Sequence, residues 1–210
     1  MHFIGIGPNC FCADAIDKAG FRVEAFPFDW VFSSLNIVQH CLTDEFETFL
    51  SLEHLEPGHE AEGTHHGYYA QHFDTPVLRA HHVRNGYPET FDLTSRDMFL
   101  HHSLLTPQVH EKFVKRCKRM MDLLKSDEPV CLVYYDQYTN DYDDVIKFSK
   151  CVRHFPNVRV LGIFGTEEEM EEETEEEILV DDELCRVVKN FTALRLELSK
   201  SDQNMSIVKK

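Results

Sequence analysis

The sequence lacks the features that bind a chain to a membrane or to nucleic acid. No stretch approaches the ~18 consecutive apolar residues that span a bilayer, and the first ten residues have no basic region, so no signal peptide is predicted. Basic residues are scarce, because 21 Lys and Arg stand against 37 Asp and Glu, which gives a net charge of −16. A surface this acidic repels phosphate backbones and anionic lipid, so we predict no nucleic-acid partner and no membrane partner.

Paired cysteine motifs are also absent. The seven Cys are an odd number without metal-ligand spacing, and the one-residue gap between Cys10 and Cys12 suits neither a redox CxxC motif nor a zinc knuckle. There is no HExxH motif, and the Gly5-Ile6-Gly7 segment lacks the third glycine of a dinucleotide fingerprint. We therefore predict free thiols in a reducing, cytoplasmic compartment, with no cofactor and no metal.

The acidic charge is concentrated in one segment, residues 167–183. Twelve of its residues are acidic and none is basic, so the rest of the chain carries a net charge of only −4. Such a run predicts a solvated, flexible insertion. Docking of a basic protein partner is the alternative function for this segment.

The apolar patterns predict alternating strands and helices. In chain order they give a strand at 2–7, helices at 10–20, 34–50 and 107–125, a strand at 129–136, a helix at 143–155, and strands at 158–165 and 192–200. This alternation predicts a single α/β domain over residues 1–210, layered, with a mostly parallel sheet flanked by helices. A His-rich excursion at about 51–106 interrupts the pattern.

The turn after the first strand carries the strongest chemical signal. The segment Gly7-Pro8-Asn9-Cys10 places Cys10 at the N-terminus of a helix. Unpaired backbone N–H groups and the helix dipole favour a thiolate there, so the thiol pKa is predicted to be lowered. The same N–H groups, with the Asn9 side chain, suit an oxyanion. The alternative is a small residue packed against the sheet. The spacing does not identify which histidine would act as the base.

Three segments together resemble a domain family whose members are described as papain-like cysteine peptidases. They are Gly7-Pro8-Asn9-Cys10, Pro27-Phe28-Asp29-Trp30 and Phe99-Leu100-His101-His102, the last ahead of a basic helix at Lys112–Arg119. The resemblance covers roughly residues 1–165. It implies a cysteine hydrolase that acts on an amide, ester or thioester of a peptide or small acyl substrate, and it makes an α+β papain-like fold the alternative architecture.

The resemblance also implies a role for each site residue. Cys10 would be the nucleophile and His101 the general base, with His102 as the alternative base. Asn9 would help to position or stabilise the oxyanion, and Asp29 would orient the histidine or hold the site together. The single tryptophan, Trp30, would shield the site or pack in the core.

The histidines support a competing hypothesis of a different class. Ten of the 13 His fall between His54 and His110, and they include the adjacent pairs 65–66, 81–82 and 101–102. One histidine from each pair, with Asp74 or Asp97, would form a metal site in a non-enzymatic binding domain. The basic face at Lys112–Arg119 is expected to be solvated, to bind a phosphate or sulfate group, or to pair with the acidic segment. A sugar or nucleotide transferase is a third possibility that only the fold class supports.

Overall fold

The computed structural model describes residues 1–58, 63–73, 97–136, 142–165, 177–181 and 183–189. The strands in this part of the chain are β1 His2–Gly5, β2 Leu55–Pro57, β3 Thr64–His66, β4 Asp97–Phe99, β5 Val130–Asp136, β6 Val158–Phe164, β7 Glu177–Asp181 and β8 Cys185–Lys189. The helices are α1 Cys10–Lys18, α2 Leu35–Thr43, α3 Glu47–Leu50, α4 Gly67–His72, α5 Pro107–Leu124 and α6 Tyr142–Cys151. Within these described residues, no helix is both long and apolar enough to cross a bilayer.

The main sheet has five strands in the order β1-β5-β6-β8-β7. The first four are parallel to one another, and β7 pairs antiparallel with β8 at the edge. All seven residues of β5 are buried, as expected for a central strand that helices cover on both faces. The predicted α/β fold with a mostly parallel sheet is therefore confirmed.

Helices cover both faces of this sheet. Along β1, Phe3 points into a core with α1, whereas Ile4 points into a larger core with α2, α5 and α6. This alternation follows from the two-residue side-chain period of a strand. Because β1, β5 and β6 run parallel, the turn that carries Cys10 lies at the carboxyl edge of the sheet, where α/β proteins bind ligands.

Two sequence predictions are corrected. The helix predicted at 34–50 breaks into α2 and α3, because the Asp44 carboxylate accepts hydrogen bonds from the N–H groups of Phe46 and Thr48, and Phe46 turns into the left-handed region at φ 68°. The acidic segment is not an insertion throughout, because Glu177–Asp181 forms β7, where an Ile-Leu-Val run favours a strand. Residues 167–176 and 182, and the strand predicted at 192–200, lie outside the described residues.

The His-rich excursion contributes a second, antiparallel sheet in the order β2-β3-β4. Buried aromatic rings tie it to the helices, since the ring centroid of Phe99 lies 5.3 Å from that of Phe49 in α3 and 5.4 Å from that of Phe113 in α5. This packing fixes β4 and therefore the start of the segment that carries His101 and His102. Residues 59–62 and 74–96 lie outside the described part of the chain.

Candidate functional site

Cys10 is the first residue of α1, directly after the β1 strand and its turn, as the sequence predicts. Asn9 forms the N-cap, with extended backbone angles, and its Oδ1 accepts a hydrogen bond of 3.0 Å from the Phe11 N–H. An N-cap of this kind satisfies one of the first-turn N–H groups that have no partner within a helix. The Cys10 side chain is half-buried, so it is accessible to a substrate at the sheet edge.

The electrostatics of Cys10 differ from the sequence prediction. Burial raises the pKa of the Cys10 thiol above its ordinary value, and the negative charge of Asp14, one turn along α1, adds to this rise. The backbone N–H groups of Cys10 and Phe11 lower the pKa but do not offset the burial. The predicted lowering is therefore wrong, because desolvation outweighs the helix N-terminus at this position. At neutral pH the resting side chain is a thiol.

Asn9 has an unpaired donor beside this thiol. The residue is only 2% exposed, and its Nδ2 is buried without a hydrogen-bond partner. An unsatisfied buried amide costs about 1–3 kcal/mol, so such a group calls for a functional explanation. The hydrogen bond from the Phe11 N–H to Oδ1 fixes the orientation of this amide at the first turn of α1, in the residue before Cys10.

The loop 26–33 connects the Cys10 turn with β4. The Ser33 N–H donates to the Pro8 carbonyl (2.9 Å), and the Ser33 hydroxyl donates to the Ile6 carbonyl (3.2 Å). One residue earlier, the Phe32 N–H donates to the Met98 carbonyl in β4 (2.9 Å). The chain continues from Met98 through the end of β4 to His101, so one loop positions the backbone of both candidate segments.

Asp29 anchors this loop. It is 3% exposed, and its Oδ2 accepts hydrogen bonds of 3.0 Å from both Arg22 Nη2 and the Phe26 N–H. Burial raises the pKa of the Asp29 carboxyl, whereas the Phe26 N–H and the charges of Arg22 and Arg116 lower it. These contacts hold the loop 26–33 in place, and the role of Asp29 in the chemistry stays a prediction.

The two candidate bases follow β4 and differ in environment. His101 is exposed. His102 is half-buried, with its ring centroid 5.2 Å from that of Phe113, and its Nε2 is buried without a hydrogen-bond partner. Burial and then the positive charge of Arg116 lower the pKa of His102 to about 4. Among the described residues no hydrogen bond joins the Cys10 thiol to a histidine, so the Cys–His pair stays a prediction.

Trp30 lies on the surface. Its neighbours Asp29 and Val31 are buried, but the backbone of Trp30 adopts the left-handed conformation at φ 65° and leaves the side chain 36% exposed. A non-glycine residue in this region carries conformational strain, which is often found near binding sites. This exposure is not that of a core residue, and the indole reports on its surroundings as the chain's single tryptophan.

Part of the predicted metal set lies in the described residues. His65, His66 and Asp97 are buried in the second sheet, and His66 Nε2 lies 3.2 Å from the Thr48 carbonyl oxygen. Over the described ranges, no three His, Cys, Asp or Glu side chains form a group that would hold a metal ion. The pair 81–82 and Asp74 lie outside those ranges.

Sequence reasoning missed Ser33 and Arg22 and saw Arg116 only as one member of a basic helix. Ser33 and Arg22 act through tertiary contacts at separations that no local pattern records. Arg116 lies three residues after buried Phe113, at the border of the apolar stripe of α5. A cation at that border is partly buried, which is the signal that distinguishes it from the exposed lysines around it.

The comparison with protein families finds a family model that matches most of the chain. A family model described as "Putative papain-like cysteine peptidase" matches residues 1–145, which include Cys10, Asp29, His101 and His102. No curated protein and no solved structure matches the chain significantly. Since the match covers more than half of the 210 residues, the chain belongs to this family, a domain family of unknown function.

Proposed function

We propose that this protein is a cysteine hydrolase in which Cys10 attacks the carbonyl of an amide, ester or thioester. The observation that carries the proposal is the half-buried Cys10 thiol at the start of α1, beside the unpaired Nδ2 of Asn9. A nucleophile next to a buried, unoccupied donor is the arrangement that acyl transfer needs. Membership in a family of cysteine peptidases supports the same chemistry.

The raised pKa of Cys10 decides how the nucleophile is activated. A resting thiol has to lose its proton as the carbon–sulfur bond forms, so a general base must accept that proton. His102 suits this role because a pKa of about 4 leaves it neutral at pH 7, and its Nε2 has no other partner. His101 remains the other candidate for the base.

The reaction then follows the order of acyl transfer. The Cys10 sulfur adds to the carbonyl carbon, the histidine takes the thiol proton, and the Asn9 amide with first-turn N–H groups of α1 holds the oxyanion. Collapse of this intermediate breaks the bond to the leaving group, which receives the proton from the imidazolium. Water then attacks the acyl-cysteine, with the neutral histidine as base, and releases the acid and the free thiol.

The pH profile of acylation tests this proposal. With p-nitrophenyl acetate as the acyl donor, the acetylation rate of Cys10 is expected to form a plateau from about pH 5 to pH 8, since a base with a pKa of about 4 is already deprotonated there. His102→Ala is expected to abolish this plateau, so that the rate falls about tenfold per pH unit below the thiol pKa. Peptide mass spectrometry locates and quantifies the acetyl group.

His101→Ala is the matched comparison for the base. Loss of the plateau in that variant alone would assign the base to His101. If both variants keep the wild-type plateau, or if Cys10 is never acetylated, the proposal is wrong. The absence of acyl-Cys10 would instead favour the non-enzymatic binding domain.

The role of Asn9 is tested by separating its two hydrogen-bonding groups. Asn9→Ser keeps an N-cap acceptor but removes the amide donor, so acylation is expected to slow by about 10²–10³-fold with little change in stability. Ser34→Ala is the control. Ser34 is the N-cap of α2, and its Oγ accepts a hydrogen bond from the Ile37 N–H. It is far from Cys10 in the sequence. That variant is expected to lose about 1 kcal/mol of stability at an unchanged acylation rate. An unchanged rate in Asn9→Ser would contradict the oxyanion role.

A further inference from the structure

Three buried side-chain nitrogens, on Arg22, Arg116 and His102, have no hydrogen-bond partner. Arg22 Nη2 is paired with Asp29 at 3.0 Å, but Arg22 Nε is buried without a partner. Arg116 Nη1 and His102 Nε2 are buried in the same unpaired state. Polar groups left like this are rare in native structures, because each costs the free energy of its lost hydration.

These donors belong to one region of the fold. The Arg116 Cζ atom lies 4.9 Å from the centroid of the Phe113 ring, and the His102 ring lies 5.2 Å from the same centroid. The charge of Arg116 also acts on Asp29 and on Arg22. The loop 22–29, helix α5 and the segment after β4 therefore converge here. We call the two arginines, Arg22 and Arg116, the basic cluster, and His102 lies beside Arg116 as a candidate base.

The basic cluster has an excess of positive charge. Two guanidinium groups face one buried carboxylate, Asp29. Two neighbouring cations of α5 are matched, since Lys115 pairs with Glu111 (2.7 Å) and Lys118 pairs with Asp122 (2.6 Å). Arg119 donates to the Ala25 carbonyl (2.7 Å), whereas Arg116 has no hydrogen bond or ion pair with the described residues.

A bound anion would supply both the missing hydrogen-bond acceptors and the missing negative charge. A carboxylate or phosphate presents two oxygens to a planar guanidinium, and such charge-assisted, bidentate hydrogen bonds are about twice as strong as neutral ones. Burial lowers the pKa of Arg116, and the charge of Asp29, which raises it, does not offset the burial and the repulsion from Arg22. Because Arg116 is half-buried, its attraction to a bound anion is screened less by salt than that of an exposed arginine.

We infer that the basic cluster binds an oxyanion, a carboxylate or a phosphate, on the substrate whose carbonyl Cys10 attacks. That the anion belongs to a substrate rests on the proposed function. That the site binds an anion rests on the basic cluster alone. The loop that contains Asp29 also bonds to the turn before Cys10, through Ser33 and Pro8. An anion held by Arg116 is therefore fixed relative to the thiol, and the enzyme selects acidic substrates despite its negative net charge.

Binding of two simple anions tests the inference. The full-length protein is titrated with inorganic phosphate and, separately, with acetate, at constant ionic strength set by sodium chloride. Trp30 fluorescence reports binding, because this single tryptophan directly follows Asp29, and the melting temperature gives a second readout. We expect saturable binding of at least one anion. Stronger binding of phosphate identifies a phosphoryl group, and stronger binding of acetate identifies a carboxylate.

Matched variants show where the anion binds. Arg116→Met keeps the apolar stem over Phe113 but removes the charge, and it is expected to weaken binding by about tenfold or more. Arg153→Met removes an exposed arginine from the 3-10 turn at Val152–His154 and is expected to bind the anion like wild type. Arg116→Lys keeps a charge without the planar fork, so intermediate affinity is expected.

The outcomes separate the inference from the proposed function. Absence of saturable binding of both anions, or equal binding by wild type and Arg116→Met, overturns the inference even if Cys10 is acetylated. Anion binding that depends on Arg116 supports it even if Cys10 is never acetylated. A proton NMR titration of His102 gives an independent check, since a bound anion stabilises the imidazolium and is expected to raise the pKa of His102 from about 4.

Discussion

Replacement of Cys10 by serine is expected to lower the acyl-transfer rate by about 10³-fold or more while the free energy of unfolding stays nearly unchanged. Serine has almost the same shape but is a much weaker nucleophile, and a base suited to a thiol does not deprotonate a hydroxyl efficiently. The half-buried side chain makes few packing contacts that depend on sulfur. The rate is measured as release of p-nitrophenol and as acetyl groups on the protein.

Cys12 provides the matched control for Cys10. It is buried, its Sγ donates a hydrogen bond of 3.1 Å to the Val133 carbonyl in β5, and burial raises its pKa to about 12. Cys12→Ala is therefore expected to cost about 1–3 kcal/mol through a cavity and the loss of this hydrogen bond. Its acylation rate per folded molecule is expected to match wild type. Acylation that survives in Cys10→Ser, or that disappears in Cys12→Ala, contradicts the assignment of the nucleophile.

The surroundings of Cys10 show which features can be predicted from sequence patterns. The strand, the Gly7 turn and the helix that begins at Cys10 were all predictable, because burial, turn chemistry and helix capping are local properties. The direction of the Cys10 pKa was not, since it depends on how deeply tertiary packing buries the thiol. A helix N-terminus lowers a thiol pKa only where desolvation is smaller than its own effect.

The same distinction separates the elements of the fold. The helix at Pro107–Leu124 was predicted to within one residue of its end, because its apolar stripe repeats over five turns. The break between α2 and α3 was not predicted, since the Asp44 carboxylate competes there for backbone N–H groups. Strands β7 and β8 were missed because acidic neighbours hide a short apolar run whose partner strand supplies the stabilisation.

The basic cluster is the part of the site that sequence reasoning approached least closely. The family resemblance pointed to Asp29, and helical periodicity pointed to the basic face of α5. Their juxtaposition depends on the loop 26–33, whose hydrogen bonds to Pro8 and Met98 span 25 and 66 residues of sequence. Long-range hydrogen bonds of this kind leave no periodic signal, so they emerge only from the structure.

Alanine at Gly7 is expected to disable the site through this same loop. Gly7 has φ +116°, a conformation that side chains rarely adopt, and a Cβ there would overlap the Ser33 hydroxyl. Backbone strain of about 1–3 kcal/mol adds to a similar cost of overpacking, so a loss of about 2–6 kcal/mol in the free energy of unfolding is expected. Displacement of Ser33 also disturbs its bond to Pro8, and an error of about 1 Å at a reacting group costs about 10²-fold in rate.

Variants at Gly20 and Ser33 distinguish the backbone strain of Gly7→Ala from its overlap with the Ser33 hydroxyl. Gly20 also has positive φ, at +81°, but no heavy atom lies within 4 Å of the position that a Cβ would take, so Gly20→Ala should show the strain alone and keep the wild-type acylation rate. Adding Ser33→Ala to Gly7→Ala removes the overlapping hydroxyl and should restore part of both stability and rate. Urea unfolding and acylation are measured for the wild type, Gly7→Ala, Ser33→Ala and the double variant, which together form a double-mutant cycle. If Gly7→Ala and Gly20→Ala lose equal stability and both keep full activity, contact between Gly7 and Ser33 does not position Cys10.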